Sequence, residues 1–507
     1  MTSLFEQTIT STNDTGPEEL DAGKMQLSPY QEAIIDFATS NHENFIVDAV
    51  AGSGKTTTAV LVGQALGVND TTFLAFNKSI ATELQQKGLP SASTFHSAAF
   101  NVLKRKHGKF TVDSNKAWRL ARGIIPEHQQ EDYAATTIQL AGLAKQACWT
   151  PDTVDLNNIQ EAIAHHDMDF SADDYQLFKF VKLLLEKQIA EAVQKRTIDF
   201  DDMLYIPWLD KIPFVLSDVL IVDEAQDTNL LQRSLLATSG ARIIAVGDPH
   251  QSIYGFRGAS SDALDAIAKQ FNCQSLPLST CYRCDETIVR EAQRLVPHIQ
   301  WREGAPQGVV RTVAPLELCA EGNLPDAIIC RTNAPIVRLF FRLARNGIPV
   351  QILGRDLGKA IAKTITATAG KATGFSQMRN LLELWADAEI RKAEKRGGTG
   401  ALVEDKLECI LAVMEHVESK GGSPNTVASE AERLFTDSET PGRITLSTIH
   451  KAKGREWNRL AFYAPELLPG KWARQDWQIR QEQNLQYVAI TRAAHDLLYV
   501  RQLGKEE

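Results

Sequence analysis

The stretch Ala49–Thr56, reading AVAGSGKT, sets two glycines, a lysine and a threonine between an apolar run, Phe45–Val50, and a helical pattern. That spacing suits a phosphate cradle. Gly52 and Gly54 let the backbone turn its N–H groups toward phosphate oxygens, and the N-terminus of the following helix adds partial positive charge. Ala51, Gly52, Ser53, Gly54, Lys55, Thr56 and Thr57 are the candidate nucleotide contacts. Lys55 would reach the β- and γ-phosphates of ATP and Thr56 would bind magnesium. A chance glycine-rich turn is the competing reading, and the strand–loop–helix context weighs against it.

A phosphate loop of this kind needs an acid at a neighbouring strand end. Val219–Val222 delivers Asp223 and Glu224 in VDEAQDTN. Asp223 would hold the magnesium through water, and Glu224 is spaced to activate an attacking water. Standing alone, two acids after a strand would simply be solvated.

The elements that must carry these groups alternate short apolar runs with helical stretches. Phe45–Val50, Thr72–Phe76, Val219–Val222 and Ile243–Val246 read as buried parallel strands ending in polar residues. Ala327–Cys330, Ile348–Leu353, Ile444–Ser447, Leu460–Tyr463 and Leu497–Val500 read as a second set. Ligands on such sheets bind at the carboxyl ends of the strands, where the polar motifs fall. The expected fold is α/β, with two lobes of parallel sheet, each interrupted by a helical insert. The first lobe is 25–97 plus 200–273 with an insert at 98–199, and the second is 274–355 plus 442–507 with an insert at 356–441. Residues 1–24 carry five acids against Lys24 alone and read as a disordered tail.

With 507 residues, 43% hydrophobic and 23% charged, the chain is long enough for several cores. No apolar run approaches bilayer length and no secretion signal opens the sequence, so a cytoplasmic location is expected. Seven scattered cysteines argue against a disulfide framework, and the lone CxxC at Cys281 and Cys284 has no second pair at metal spacing. His165–His166–Asp167 is read as an ordinary surface cluster rather than a metal site. The net charge of −9 is unusual for a nucleic-acid binder, but a local groove can override it. The basic clusters Lys104–Lys106 and Arg391–Arg396 read equally as solvated helix faces or as duplex contacts.

Taken in order, the motifs resemble those of the UvrD/Rep-like superfamily 1 helicases, which implies that the two α/β lobes are RecA-like. LSPYQ (27–31), FLAFNKS (73–79), STFHS (93–97), IDFDDML (198–204) and VDEAQDTN (222–229) come first. VGDPHQSIYGFRGA (246–259), CYRC (281–284), CRTNA (330–334), TLSTIHKAKGREW (445–457) and QEQNLQYVAITRA (481–493) follow. The GDPHQ and HKAKG wording is nearest to the branch holding the F-box-associated helicases. The resemblance implies that Gln31 reads the adenine edge, Tyr282 stacks on adenine and Glu456 contacts the ribose. It implies that Gln251 senses the γ-phosphate, and that Arg283 and Arg492 neutralise the transferring phosphoryl. The candidate contacts to single-stranded DNA are Phe76, Asn77, Phe95, His96, Tyr254, Phe256, Arg257 and His450. Several of the aromatics, Phe95 among them, read equally as core, and His96 and His450 equally as structural histidines.

The expected activity is that of an ATP- and magnesium-dependent 3′–5′ DNA helicase or translocase acting on single strands and single–double strand junctions. The alternatives are a translocase that strips proteins from DNA, and a nucleic-acid-gated ATPase subunit. Thr57 and Glu32 stand where the family often has arginine. The second insert is short, which bears on unwinding strength. Fifteen residues follow Arg492, so a nuclease or repair factor is expected only as a separate partner.

Overall fold

The computed structural model describes residues 27–501, apart from 166, 167, 169, 171, 254–261, 315–317, 319–323, 395–398, 471 and 472. The acidic tail, Tyr254, Phe256, Arg257, most of the His165–Asp167 cluster and the end of the second basic cluster therefore lie outside the described residues.

The first sheet has six parallel strands: Phe45–Ala49 (β1), Thr71–Ala75 (β2), Ser93–Thr94 (β3), Val219–Val222 (β4), Arg242–Gly247 (β5) and Gln274–Leu278 (β6). Their order is β3-β2-β4-β5-β1-β6. Side chains alternate between two cores, as the pleat requires. Phe45, Val47 and Ile221 enter the layer under helix Lys55–Leu66. Ile46, Leu220 and Val222 enter the layer under helices Phe95–His107 and Asp202–Leu209. Both faces are covered, which explains why these strands read as continuous apolar runs.

The second sheet has seven parallel strands: Val309–Val313 (β7), Ala327–Cys330 (β8), Val350–Leu353 (β9), Phe435–Thr436 (β10), Ile444–Thr448 (β11), Trp457–Tyr463 (β12) and Ala493–Val500 (β13). Their order is β7-β13-β12-β8-β11-β9-β10. Here too, alternate residues face opposite ways. Ile328, Cys330 and Ala461 pack with helix Ala334–Arg345, while Ile329, Leu460 and Phe462 pack with helix Asp476–Ile490. The latter core continues into the first lobe through Val50, Ala51 and Ile253. The phosphate loop is thus rooted in both halves of the molecule.

The two inserted regions differ in how they are held. Helices Lys116–Ile124, Gln130–Gln146, Leu156–His165 and Asp174–Lys195 close round a core of their own, in which the Tyr133 ring meets Phe170 and Phe180 edge-on at 5.5 and 5.2 Å. Helix Phe95–His107 packs into the first lobe instead, so we place the start of the insert after that helix. By contrast, helices Arg355–Ala369, Phe375–Glu394, Ala401–Ser419 and Val427–Arg433 share one core with the second sheet. Among the described residues no helix is long and apolar enough to cross a membrane. None of the six described cysteines is in a disulfide, and no cluster of metal-ligating side chains occurs among the described residues.

Where the first insert rejoins its lobe, two lysines are fully buried. Lys116 donates to Asp202 Oδ2 at 2.6 Å and to the Gln188 carbonyl at 2.8 Å. Lys145 donates to Asp202 Oδ1 at 2.7 Å and to Asp199 Oδ1 at 3.4 Å. Burial alone would lower the Lys145 pKa, but Asp202, Asp199 and Asp201 outweigh it and raise it. Removing one partner strands the others' charge, which is far costlier than losing a surface pair. Lys145→Met is therefore expected to cost about 3–5 kcal/mol and to lower the midpoint of denaturant unfolding. An unchanged midpoint would show that this junction does not depend on its charges.

Candidate nucleotide and nucleic-acid site

The phosphate loop leaves β1 and turns on two left-handed glycines, Gly52 at φ +66° and Gly54 at φ +79°, before helix Lys55–Leu66 begins. Space at Gly52 is decisive. A Cβ there would fall 2.6 Å from Arg283 Cβ and 3.0 Å from Cys281 Sγ, both on the far side of the cleft. Ser53 is buried and its hydroxyl donates to the Val50 carbonyl at 2.8 Å, closing the loop on itself. Thr57 is partly exposed on the first helical turn.

Gln31 reaches the same helix, its Nε2 donating to Thr58 Oγ1 at 3.1 Å while its Oε1 accepts from the Ser28 N–H at 3.0 Å. That second bond is half of a capping box that starts helix Pro29–Ser40. The Gln31 amide is therefore fixed beside the phosphate loop.

Asp223 and Glu224 stand at the end of β4, facing the loop. Thr56 Oγ1 donates to Asp223 Oδ2 at 3.3 Å. Burial, and next the Glu224 charge, push Asp223 up to about 7 against the pull of Lys55. Burial also raises Glu224, but Lys55, Lys453, Gln226 and Arg492 together outweigh it and hold its carboxyl below the usual range. Hydroxyl and carboxylate oxygens side by side, one of them a buried carboxylate short of positive charge, form a donor set that fits magnesium.

From Glu224 a line of hydrogen bonds crosses to the second lobe. Gln226 Nε2 donates to Glu224 Oε2, and Gln226 Oε1 accepts from the Asp248 N–H at 3.0 Å. Asp248 Oδ2 accepts from Gln251 Nε2 at 2.6 Å. Gln251 Oε1 then accepts from Arg492 Nη2 at 3.2 Å. Gly247 makes room for it: a Cβ at that position would lie 2.5 Å from Gln226 Oε1.

Arg492 is fully buried and also donates to the carbonyls of Val488 and Arg455 at 3.2 and 3.1 Å. Burial, reinforced by Arg283, brings it down to about 10, although Glu224 pulls the other way. Arg283 pairs with Glu456 and donates to the Thr491 carbonyl at 3.3 Å. Tyr282, between two buried cysteines, is 38% exposed, and its backbone N–H donates to the Gly52 carbonyl at 2.8 Å.

Four further residues bridge the lobes, and the sequence reading did not assign them this task. Lys453 donates to Asp227 Oδ2 at 2.6 Å and to the Gln251 carbonyl at 2.7 Å. Burial pushes the Asp227 carboxyl up to about 6, with Lys453 opposing and Glu224 adding to the rise. Asn484 donates to the carbonyls of Ser252 and Pro249 at 2.9 and 3.3 Å. Tyr487 Oη accepts from the Ala51 N–H at 2.9 Å. All sit inside motifs already visible in the sequence, but only the fold supplies their partners.

The strand-contact candidates divide. Phe76 is 46% exposed at the end of β2, and the Asn77 side chain caps helix Lys78–Gln86 by accepting from the Ile80 N–H at 2.9 Å. Phe76 and His96 line a cavity of 260 Å³ whose other wall holds Asp223, Glu224 and Asp227. Burial lowers the pKa of His96. Phe95 lines the same cavity, yet it is only 5% exposed and its ring lies parallel to Phe214 at 6.5 Å, so most of it is buried in the core. His450 lines a separate cavity of 480 Å³ at the carboxyl ends of β9 and β11, with Asn333, Thr448, Lys451, Lys453 and Arg455. Basic Lys104 and Arg105 lie elsewhere, beside the amino-terminal end of β2.

Comparison with known proteins agrees with this geometry. Residues 27–272 match the UvrD/REP helicase N-terminal domain, and residues 354–502 match the UvrD-like helicase C-terminal domain. The F-box DNA helicase protein 1 of Schizosaccharomyces pombe is 24% identical over 93% of this chain and 57% of its own length. The ATP-dependent DNA helicase Rep of Escherichia coli is 27% identical over 54% of this chain and 44% of its own. A probable DNA helicase of Mycoplasma pneumoniae is 23% identical over 90% of this chain and 80% of its own. The chain thus spans about half the length of several curated relatives it matches. With both halves matched in order, the chain belongs to the UvrD/Rep-like helicase family.

Proposed function

We propose that this chain is an ATP-driven motor that moves 3′ to 5′ along single-stranded DNA and acts at single–double strand junctions. The observation that carries this reading is the hydrogen-bond line from Glu224 to Arg492, because it joins a hydrolytic acid to the opposite lobe without a break. A nucleotide seated on the phosphate loop would lie between Lys55 and the second-lobe arginines, with Tyr282 beside the base. Held ionised by Lys55, Glu224 suits a base that takes a proton from the attacking water. Thr56 and Asp223 would hold magnesium, which when bound neutralises phosphate charge. Arg283 would exchange its pairing with Glu456 for a phosphate oxygen, freeing Glu456 for the ribose. Arg492, already on Gln251, would bring the second lobe's charge to the same place.

A change of contact at the terminal phosphate is thereby passed to Gln251 and to the elements around it. Phe76 and His96 on the first lobe, and His450 on the second, lie at the carboxyl edges of the two sheets. A strand crossing both edges would be gripped by each lobe in turn as the cleft closes and opens. DNA, rather than RNA, as the track follows the relatives' names, and the polarity follows the family resemblance.

Single-stranded DNA should raise ATP hydrolysis by the wild-type protein, and Lys55→Ala should lower the stimulated rate by about a hundredfold or more. Rates equal with and without DNA would contradict the motor. Streptavidin should be displaced from a 5′-biotinylated strand, and displacement from the 3′ end alone would overturn the polarity. Gly247→Ala should also lower the stimulated kcat by about a hundredfold, since its Cβ displaces Gln226, with nucleotide affinity retained. Wild-type kcat in that variant would show that the hydrogen-bond line is not used.

A further inference from the structure

We infer that Tyr487 is a positioning residue for hydrolysis, its hydroxyl being the group through which the second lobe sets the conformation of the phosphate loop. This rests on the ATP-driven motor reading and names a part of it that the nucleotide-facing residues leave open.

The phosphate loop is held from the far side of the cleft at two consecutive residues. The Ala51 N–H donates to Tyr487 Oη at 2.9 Å, and the Gly52 carbonyl accepts from the Tyr282 N–H at 2.8 Å. These two bonds bracket the peptide between Ala51 and Gly52 and fix the direction in which the Gly52 N–H points. That direction matters because a phosphate cradle works by aiming backbone N–H groups.

The Tyr487 side chain is well placed to transmit it. Tyr487 is 1% exposed, and its ring meets His250 edge-on at 6.0 Å. It stands on helix Asp476–Ile490, and Arg492 follows just beyond that helix. The Tyr487 carbonyl accepts from the Thr491 N–H and the Thr491 hydroxyl, and Arg492 Nε donates to the Val488 carbonyl at 3.2 Å. One short rigid segment therefore grips the phosphate loop with Tyr487 and the Gln251 side chain with Arg492. A movement of the second lobe that brings Arg492 into place also orients the Gly52 amide. The hydroxyl is doing this work and not the ring, which is anchored among apolar neighbours.

The test compares wild type, Tyr487→Phe and Tyr205→Phe as full chains. Tyr205 is an equally buried tyrosine whose hydroxyl donates to the Trp149 carbonyl at 2.7 Å, in the core on the opposite face of the first sheet from the helix that follows the phosphate loop. Tyr487→Phe should lower the kcat of DNA-stimulated hydrolysis by about tenfold, while KM for ATP changes by less than about threefold. Tyr205→Phe should keep the wild-type kcat whatever it does to thermal stability. Wild-type kcat in Tyr487→Phe would overturn the inference. Equal losses in both variants, tracking their melting temperatures, would overturn it too by reducing the hydroxyl to a stability contact. If wild type itself shows no DNA stimulation, the motor reading fails, and that result is distinguished from the others by appearing before any substitution is made.

Discussion

The seam between the two lobes is a set of buried polar contacts, and buried polar groups tolerate little slack. An unsatisfied N–H, carbonyl or guanidinium in this seam costs far more than the net worth of a satisfied one. Arg492 illustrates the constraint. Its guanidinium is wholly enclosed, and its charge is sustained by two carbonyls, the Gln251 side chain and the nearby Glu224. Gln251 in turn can serve Arg492 only because Asp248 holds its other end. Each group is oriented by the next, so a shift at either end must be answered along the line or paid in unpaired polar atoms. That is the physical basis for coupling here: a small number of discrete arrangements, not a continuous flexing.

The surrounding architecture keeps this seam in register. β1, β4 and β5 lie side by side in the middle of the first sheet, so the phosphate loop, the acids and the Gln251 turn leave adjacent strand ends. In the second sheet, β12 and β13 flank the helix that carries Tyr487, and the turn after that helix carries Arg492. The apolar layer containing Val50, Ala51, Cys281 and Tyr487 belongs to neither lobe alone. The inserts are attached with different stringency. The first has its own core and joins its lobe through the enclosed Lys116, Lys145, Asp199 and Asp202 charges, whose geometry is exacting. The second is continuous with the core of its lobe and follows that lobe's position.

Much of this was legible in the residues. The apolar runs at Phe45, Val219, Ala327 and Ile444 form central strands, because continuous hydrophobicity is what a sheet covered on both faces demands. Edge strands escaped notice. Gln274–Leu278 is mostly exposed and contains Pro277, which the edge tolerates, and the tip-to-tip pairing of Ser93–Thr94 is too short to leave a pattern. Lys55, Asp223, Gln251 and Arg492 stood out because their neighbours have motif spacing. Tyr487, Lys453, Asn484 and Gln226 did not, because a hydroxyl, an amine or an amide has no spacing signature and its role is fixed by a partner as far as 436 positions away. Phe95 is readable either as an aromatic platform or as core, because sequence gives no sign of which way one residue of an amphipathic helix faces at its first turn. Its ring lies against Phe214, while the residue also lines the cavity beside His96.

A double-mutant cycle on Gln251 and Arg492 tests the coupling across the seam most directly. Gln251→Ala, Arg492→Ala and the double variant would be compared by kcat for DNA-stimulated ATP hydrolysis. If the two side chains act as one unit, the double variant should be no slower than the slower single variant. Losses that simply multiply would mean that each residue acts alone, and would contradict a line of contacts running from Glu224 to the second lobe.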